Sequence, residues 1–206
     1  MTFNGTPASF MVETPGKIKT TVPAGATTGP ISVTTPGGTA VSAKDFKVAP
    51  EITGFMPSSG AVGTSVTISG ANFTGAAFVV FNGLAAAFSV DSDTQITATV
   101  PANATTGPIG VTGPGGSATS ASDFTAAPRI TGFNPATGPV GTSVTIRGAN
   151  FTGTTRVRFN GISAAFTVNS SIKITTTVPA GASTGLIDVT TPAGTAVSTG
   201  TFTVTP

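Results

Sequence analysis

The sequence has no cysteine, histidine, tryptophan or tyrosine. Without cysteine, no disulfide staples a small domain and no thiolate is available as nucleophile or metal ligand. Without histidine, the usual general base near neutral pH and the commonest metal ligand are gone, and no conventional serine triad can form. Phenylalanine carries the whole aromatic load, with 14 residues. Charge is scarce as well, at 8% of residues, and the net charge of +2 is too small to drive binding to nucleic acid or to an anionic membrane. No apolar run approaches the roughly 20 residues that span a bilayer. The opening Met-Thr-Phe-Asn-Gly-Thr does not place a basic region before a hydrophobic one, so no signal peptide is visible in it. These gaps lead us to expect no enzyme, no cofactor, no metal, no nucleic-acid partner and no membrane insertion.

What is present is repetition. Ile52-Thr53-Gly54-Phe55 returns as Ile130-Thr131-Gly132-Phe133, and Phe81-Asn82-Gly83 as Phe159-Asn160-Gly161, each 78 residues later. Residues 51–128 and 129–206 match at 47 of 78 positions, and residues 1–50 fall on the last 50 positions of the same unit, with Phe3-Asn4-Gly5 in register. We therefore expect three segments: a partial unit at 1–50 lacking its first strands, and complete units at 51–128 and 129–206. Tandem identical modules supply length, spacing or multivalent contact.

Within the third unit, Val144 and Ile146 alternate with Thr145 and Arg147, and Val157 and Phe159 with Arg156 and Arg158, the period-two pattern of half-buried strands. Asn160-Gly161 is a strong hairpin dipeptide, followed by an expected return strand at 164–168. Further strands are expected at 174–178, 187–189 and 202–204, with loops marked by glycine and proline. Seven or eight short strands with frequent turn signals indicate an all-β chain of tandem immunoglobulin-like β-sandwich modules. The joints Val48-Ala-Pro-Glu-Ile52 and Ala126-Ala-Pro-Arg-Ile130 hold no Gly/Ser linker and place a φ-locked proline between units, so the modules should form a rod.

The order Ile-Thr-Gly-Phe-x-Pro-x-x-Gly-x-x-Gly-Thr-Ser-Val-Thr-Ile-x-Gly-x-Asn-Phe at 52–73 and 130–151 is followed by Val-x-Phe-Asn-Gly at 79–83 and 157–161, and by Thr-Val-Pro-Ala at 99–102 and 177–180. It strongly resembles the IPT/TIG family, immunoglobulin-like modules shared with plexins and some transcription factors. The resemblance covers both complete units and the back half in residues 1–50, where Thr21-Val-Pro-Ala24 stands in place. It implies a structural or adhesive segment of a bacterial surface or secreted protein, used for spacing, adhesion or filament-type assembly. The alternative it implies is a polysaccharide-binding accessory module, against which the missing Trp and Tyr platforms count. An extracellular or cell-surface location follows from the resemblance alone.

Residues 1–50 lack the positions that hold Phe55, Val66, Ile68 and Phe73 in the second unit. Losing four large apolar side chains removes about 6–12 kcal/mol, comparable with the stability of a whole domain. Either this segment is cut from a longer array, or another chain completes it by strand addition and builds an assembly.

The carboxylates are scattered. Asp91-Ser92-Asp93 is the one close pair, readable as a Ca²⁺ clip or as a solvated turn. Charge is partitioned: residues 51–128 hold Glu51, Asp91, Asp93 and Asp123 with no base, while 129–206 hold Arg129, Arg147, Arg156, Arg158 and Lys173 against Asp188. This contrast suits either association between chains or plain solubility. Phe78 and Val80 replace Arg156 and Arg158 and suit either an exposed partner patch or packing under a loop. The candidate partner contacts are thus Phe78, Val80, Arg147, Arg156 and Arg158, with protein, including a second copy, as the leading partner and polysaccharide as the alternative.

Overall fold

A computed structural model describes residues 1–206 and consists of strands and turns, with no helix long or apolar enough to cross a membrane. The third repeat is two sheets face to face. One holds four antiparallel strands in the order Arg129–Asn134, Ser143–Ala149, Lys173–Thr177, Phe166–Ser170. The other holds five, in the order Thr137–Gly138, Gly194–Val204, Gly185–Thr191, Arg156–Phe159, Ile162–Ala164, parallel only between the first two. The second repeat has the same pair of sheets: Glu51–Met56, Ser65–Ala71, Gln95–Thr99, Phe88–Ser92, and Ser59–Gly60, Gly116–Ala126, Gly107–Gly113, Phe78–Phe81, Leu84–Ala85. The chain is thus all-β, in tandem immunoglobulin-like sandwiches.

Alternation explains the layers. Along Ser143–Ala149, Val144 and Ile146 are fully buried while Arg147 is exposed, and along Arg156–Phe159, Val157 and Phe159 point inward. The two inner faces meet in one apolar core per repeat. Each core is keyed by an edge-to-face phenylalanine pair with centroids 5.1 Å apart, Phe81 with Phe124 and Phe159 with Phe202. Such pairs add about 0.5–1.5 kcal/mol beyond their burial.

The return strand expected at 164–168 is two strands. Ile162–Ala164 folds back on Arg156–Phe159 through the Asn160-Gly161 turn, then the chain changes sheets and Phe166–Ser170 pairs with Lys173–Thr177. Ala164 and Phe166 both pack on the core from different sheets. The Thr176 hydroxyl and the Thr177 amide donate to the Ala165 carbonyl at the crossing, 2.8 and 3.3 Å. The last strand is also longer than expected: Gly194–Val204 runs 11 residues through a bulge. There buried Ser198 accepts from the Ile187 amide (3.0 Å) and donates to the Gly200 carbonyl (2.7 Å), and Ser120 does the same with Ile109 and Ser122.

Residues 1–50 form a four-stranded sheet in the order Thr6–Pro7, Thr2–Phe3, Ile31–Thr35, Gly38–Val41, beside a hairpin of Phe10–Thr14 and Lys17–Thr20. The Phe3–Phe46 pair repeats the 5.1 Å edge-to-face contact. Phe3 and Ala26 are this segment's only buried hydrophobic residues other than proline. Phe10 is 47% exposed, whereas its counterparts Phe88 and Phe166 pack against the two cores.

Candidate contact surfaces and joints

The joints are built from two turns. The turn after Ser65–Ala71 puts Asn72 in the left-handed region (φ 59°), and the turn after Ser143–Ala149 puts Asn150 there (φ 58°), a conformation that asparagine tolerates better than other residues carrying a Cβ. Each amide then reaches back 46 residues, into the Pro-Ala-x-Ala turn of the preceding repeat. Asn72 Nδ2 donates to the Ala26 carbonyl at 3.3 Å, and Asn150 Nδ2 to Ala104 at 3.0 Å. Asn150 also donates to Ala127 at 3.0 Å. Asn72 is buried and its Oδ1 has no partner, so the first joint is the less completely bonded.

The hairpin tip Pro114-Gly115-Gly116 completes the first joint. A Cβ at Gly115 would strike the Val48 backbone, so the tip lies on the connecting chain only because residue 115 has no side chain. At the second joint the counterpart is Ala193, while the neighbouring glycine keeps its place at both, Gly116 against Ala49 and Gly194 against Ala127. None of these contacts is legible in the sequence, where Asn72 and Asn150 stand only within the recurring Gly-x-Asn-Phe motif. The available signal was an asparagine recurring at one position of both complete repeats.

A polar cleft opens at each joint, about 450 Å³ at the first and about 440 Å³ at the second. Thr27, Thr28, Asp45, Lys47, Thr74 and Asp93 line the first. Thr105, Thr106, Thr125, Thr152 and Ser171 line the second in the places of Thr27, Thr28, Lys47, Thr74 and Asp93, and Thr191 joins them. The Thr105 hydroxyl accepts from Asn82 Nδ2 (2.8 Å) and that of Thr106 from the Ala126 amide (3.1 Å), and neither donates within the chain. Thr27 and Thr28 repeat this with Asn4 (2.8 Å) and Val48 (2.9 Å). Each pair therefore presents two O–H donors held in place by the bonds it accepts.

The five candidate contact residues fall on three surfaces. Phe78 is 63% exposed on the outer face of the five-stranded sheet of the second repeat. Val80, one register step along, is half-buried and leans over Gly110, where a Cβ would come within 2.9 Å of it. In the third repeat the same cross-strand pair is Arg158 with Asp188. Arg158 Nε donates to both carboxylate oxygens at 2.9 and 3.0 Å, and Asp188 is buried. Arg158 is thereby half-buried and paired, and differs from exposed Arg156, whose Nη2 lies 3.5 Å from Thr190 Oγ1. Arg147 is on the other sheet, exposed and directly opposite Lys173.

Asp91 accepts from Ser89 (3.0 Å) and Thr97 (2.6 Å), and Asp93 caps the Thr74 amide (3.1 Å). Nowhere do three or more acidic side chains gather.

The sequence profile of the IPT/TIG domain matches residues 50–126 and 128–204. No curated protein matches the chain. Among solved structures, the chain is similar to SGBP-B from a complex xyloglucan utilization locus in Bacteroides uniformis, with 26% identity and a TM-score of 0.37 over 75% of this chain and 49% of that one. It is similar to the surface glycan-binding protein PbSGBP-B from Prevotella bryantii, with 18% identity and a TM-score of 0.37 over 74% and 42%. It is also similar to the plexin A4 extracellular region, with 21% identity and a TM-score of 0.36 over 78% and 18%. The chain thus spans less than half the length of each of these structures.

Proposed function

The chain belongs to the IPT/TIG domain family, and on that premise we propose that it is a non-enzymatic, rod-like segment of an extracellular or cell-surface protein, serving spacing and adhesion. One observation carries the reading: successive repeats meet through a proline joint without linker, and an asparagine of each complete repeat is hydrogen-bonded into the turn of the repeat before it. A flexible tether needs neither feature, and a segment that holds a distance needs both. The acids and bases are spent on local bonds or stand apart: Asp45 and Lys47, which line the first cleft, pair with each other at 3.5 Å, and Asp93 beside them caps the Thr74 amide. Small-angle scattering tests the reading. A rod gives one elongated profile that does not change with temperature below unfolding, whereas a distribution of bent shapes would defeat it.

A second reading, polysaccharide binding at the joints, is favoured by the two hydroxyl-lined clefts. Anchored O–H donors suit the oxygen-rich edge of a sugar chain, and two clefts along one chain would add avidity. Retention on insoluble polysaccharides, lost when Thr27, Thr28, Thr105 and Thr106 are all changed to valine, would support it. Equal retention of the variant would remove the clefts as the site.

A further inference from the structure

The outer face of the four-stranded sheet in the third repeat carries bases without partners. Arg147 is directly opposite Lys173 in the ladder, and Arg129 is exposed on the strand paired to the other side of Arg147's strand. Like charges directly opposed across strands destabilise an isolated sheet. None of the three is in a salt bridge: the chain's ion pairs are Lys17–Glu13, Lys47–Asp45 and Arg158–Asp188. The third repeat's single acid, Asp188, is committed to Arg158 on the other sheet. Nothing in this chain offsets the repulsion.

The equivalent sheet of the second repeat has the opposite sign. Glu51 stands where the third repeat has Arg129, and Ser69 and Gln95 where it has Arg147 and Lys173. Asp91 is exposed on the edge strand and fixed by Ser89 and Thr97, with Asp93 at the following turn. Residues 51–128 contain no lysine or arginine to neutralise them. Two sheets of the same shape thus present complementary charge on one chain, and none of Glu51, Asp91, Arg129, Arg147 and Lys173 forms an ion pair within it.

We infer that the basic sheet of the third repeat docks on the acidic sheet of the second repeat of another copy, side by side and antiparallel, so that two such contacts form about one two-fold axis. An antiparallel pair brings each repeat against its opposite, whereas a parallel pair in register sets like against like. This goes beyond the spacer reading and does not depend on where the protein resides.

The test is sedimentation velocity of the whole chain in about 20 mM and about 300 mM salt, which brackets strong and weak screening. The inference expects dimers at low salt, with a dissociation constant rising about tenfold or more on going to high salt. It expects the double variant Arg147→Glu/Lys173→Glu to be monomeric and the variant Glu51→Lys/Asp91→Lys to be monomeric, with association restored when the two are mixed. All four positions lie on outer faces, and circular dichroism checks that each variant is folded. A wild-type monomer at low salt overturns the inference, as does a dimer indifferent to salt and to these charges. A monomer retained on an anionic polysaccharide column through Arg147 and Lys173 also overturns it and assigns the face to a polyanion instead.

Discussion

Removing the side chain of Asn150 while keeping its backbone conformation should unlock the second joint without unfolding either repeat. Asn150→Gly retains the left-handed φ of 58° and removes two hydrogen bonds of 3.0 Å. At about 0.5–1.5 kcal/mol each, the loss is about 1–3 kcal/mol. A loss of 2 kcal/mol raises the population of undocked joints about thirtyfold. Asn150→Ala adds roughly 1–2 kcal/mol for holding a Cβ at positive φ. The first joint has one bond of 3.3 Å, so Asn72→Gly should loosen it less than Asn150→Gly loosens the second. Because the chain has no cysteine, single labels can be placed at will. Spin labels at exposed Ser65 and Ser163 straddle the second joint, and their distance distribution reads it directly. The wild type should give one narrow distance and Asn150→Gly a broadened one, with the unfolding temperature of each repeat little changed. An unchanged distribution in Asn150→Gly would show that the proline joint alone sets the angle and that the asparagine is incidental.

Phe202→Ala should cost about 3–5 kcal/mol, read as a fall in the urea midpoint of the third repeat, while Phe46→Ala, whose ring is 36% exposed, should cost about half as much or less. Gly148→Ala drives a Cβ into the Arg129 carbonyl and the Phe151 ring and should cost about 3 kcal/mol or more, whereas Gly132→Ala, with open space, should leave the melting temperature nearly unchanged. Asp188→Gly strands half-buried Arg158 and should cost about 1–3 kcal/mol. Adding Arg158→Val recreates the Val80–Gly110 pair and should recover at least about 0.5 kcal/mol in a double-mutant cycle.

The local features were legible where one strand and its neighbour settle them. Val144 and Ile146 announce an inward face by alternation, and Asn160-Gly161 announces a hairpin by φ preference alone. The family likewise follows from ordered motifs in both complete repeats. The change of sheet at Ala165 was not legible, because residues 164–168 read as one unbroken strand and only the second sheet's presence decides where it bends. Ser120 and Ser198 look like ordinary polar strand residues until the bulge each bridges is seen. The bond between Asn150 and Ala104 joins residues 46 apart in different repeats, beyond any local rule. Arg158 and Asp188 left a trace, since both change together to Val80 and Gly110 in the preceding repeat, but only strand register turns that trace into a contact.

The joint has a genetic consequence. Its two halves, the Pro-Ala-x-Ala carbonyl and the Gly-Ala-Asn-Phe amide, both lie inside every complete repeat. A repeat is therefore a plug at one end and a socket at the other. Unequal recombination that inserts or deletes one whole repeat regenerates a correct joint at the seam, with no further substitution required. The length of such a chain can change in steps of one repeat while every joint keeps the same bonding groups, which makes length a property that selection can adjust by copy number alone.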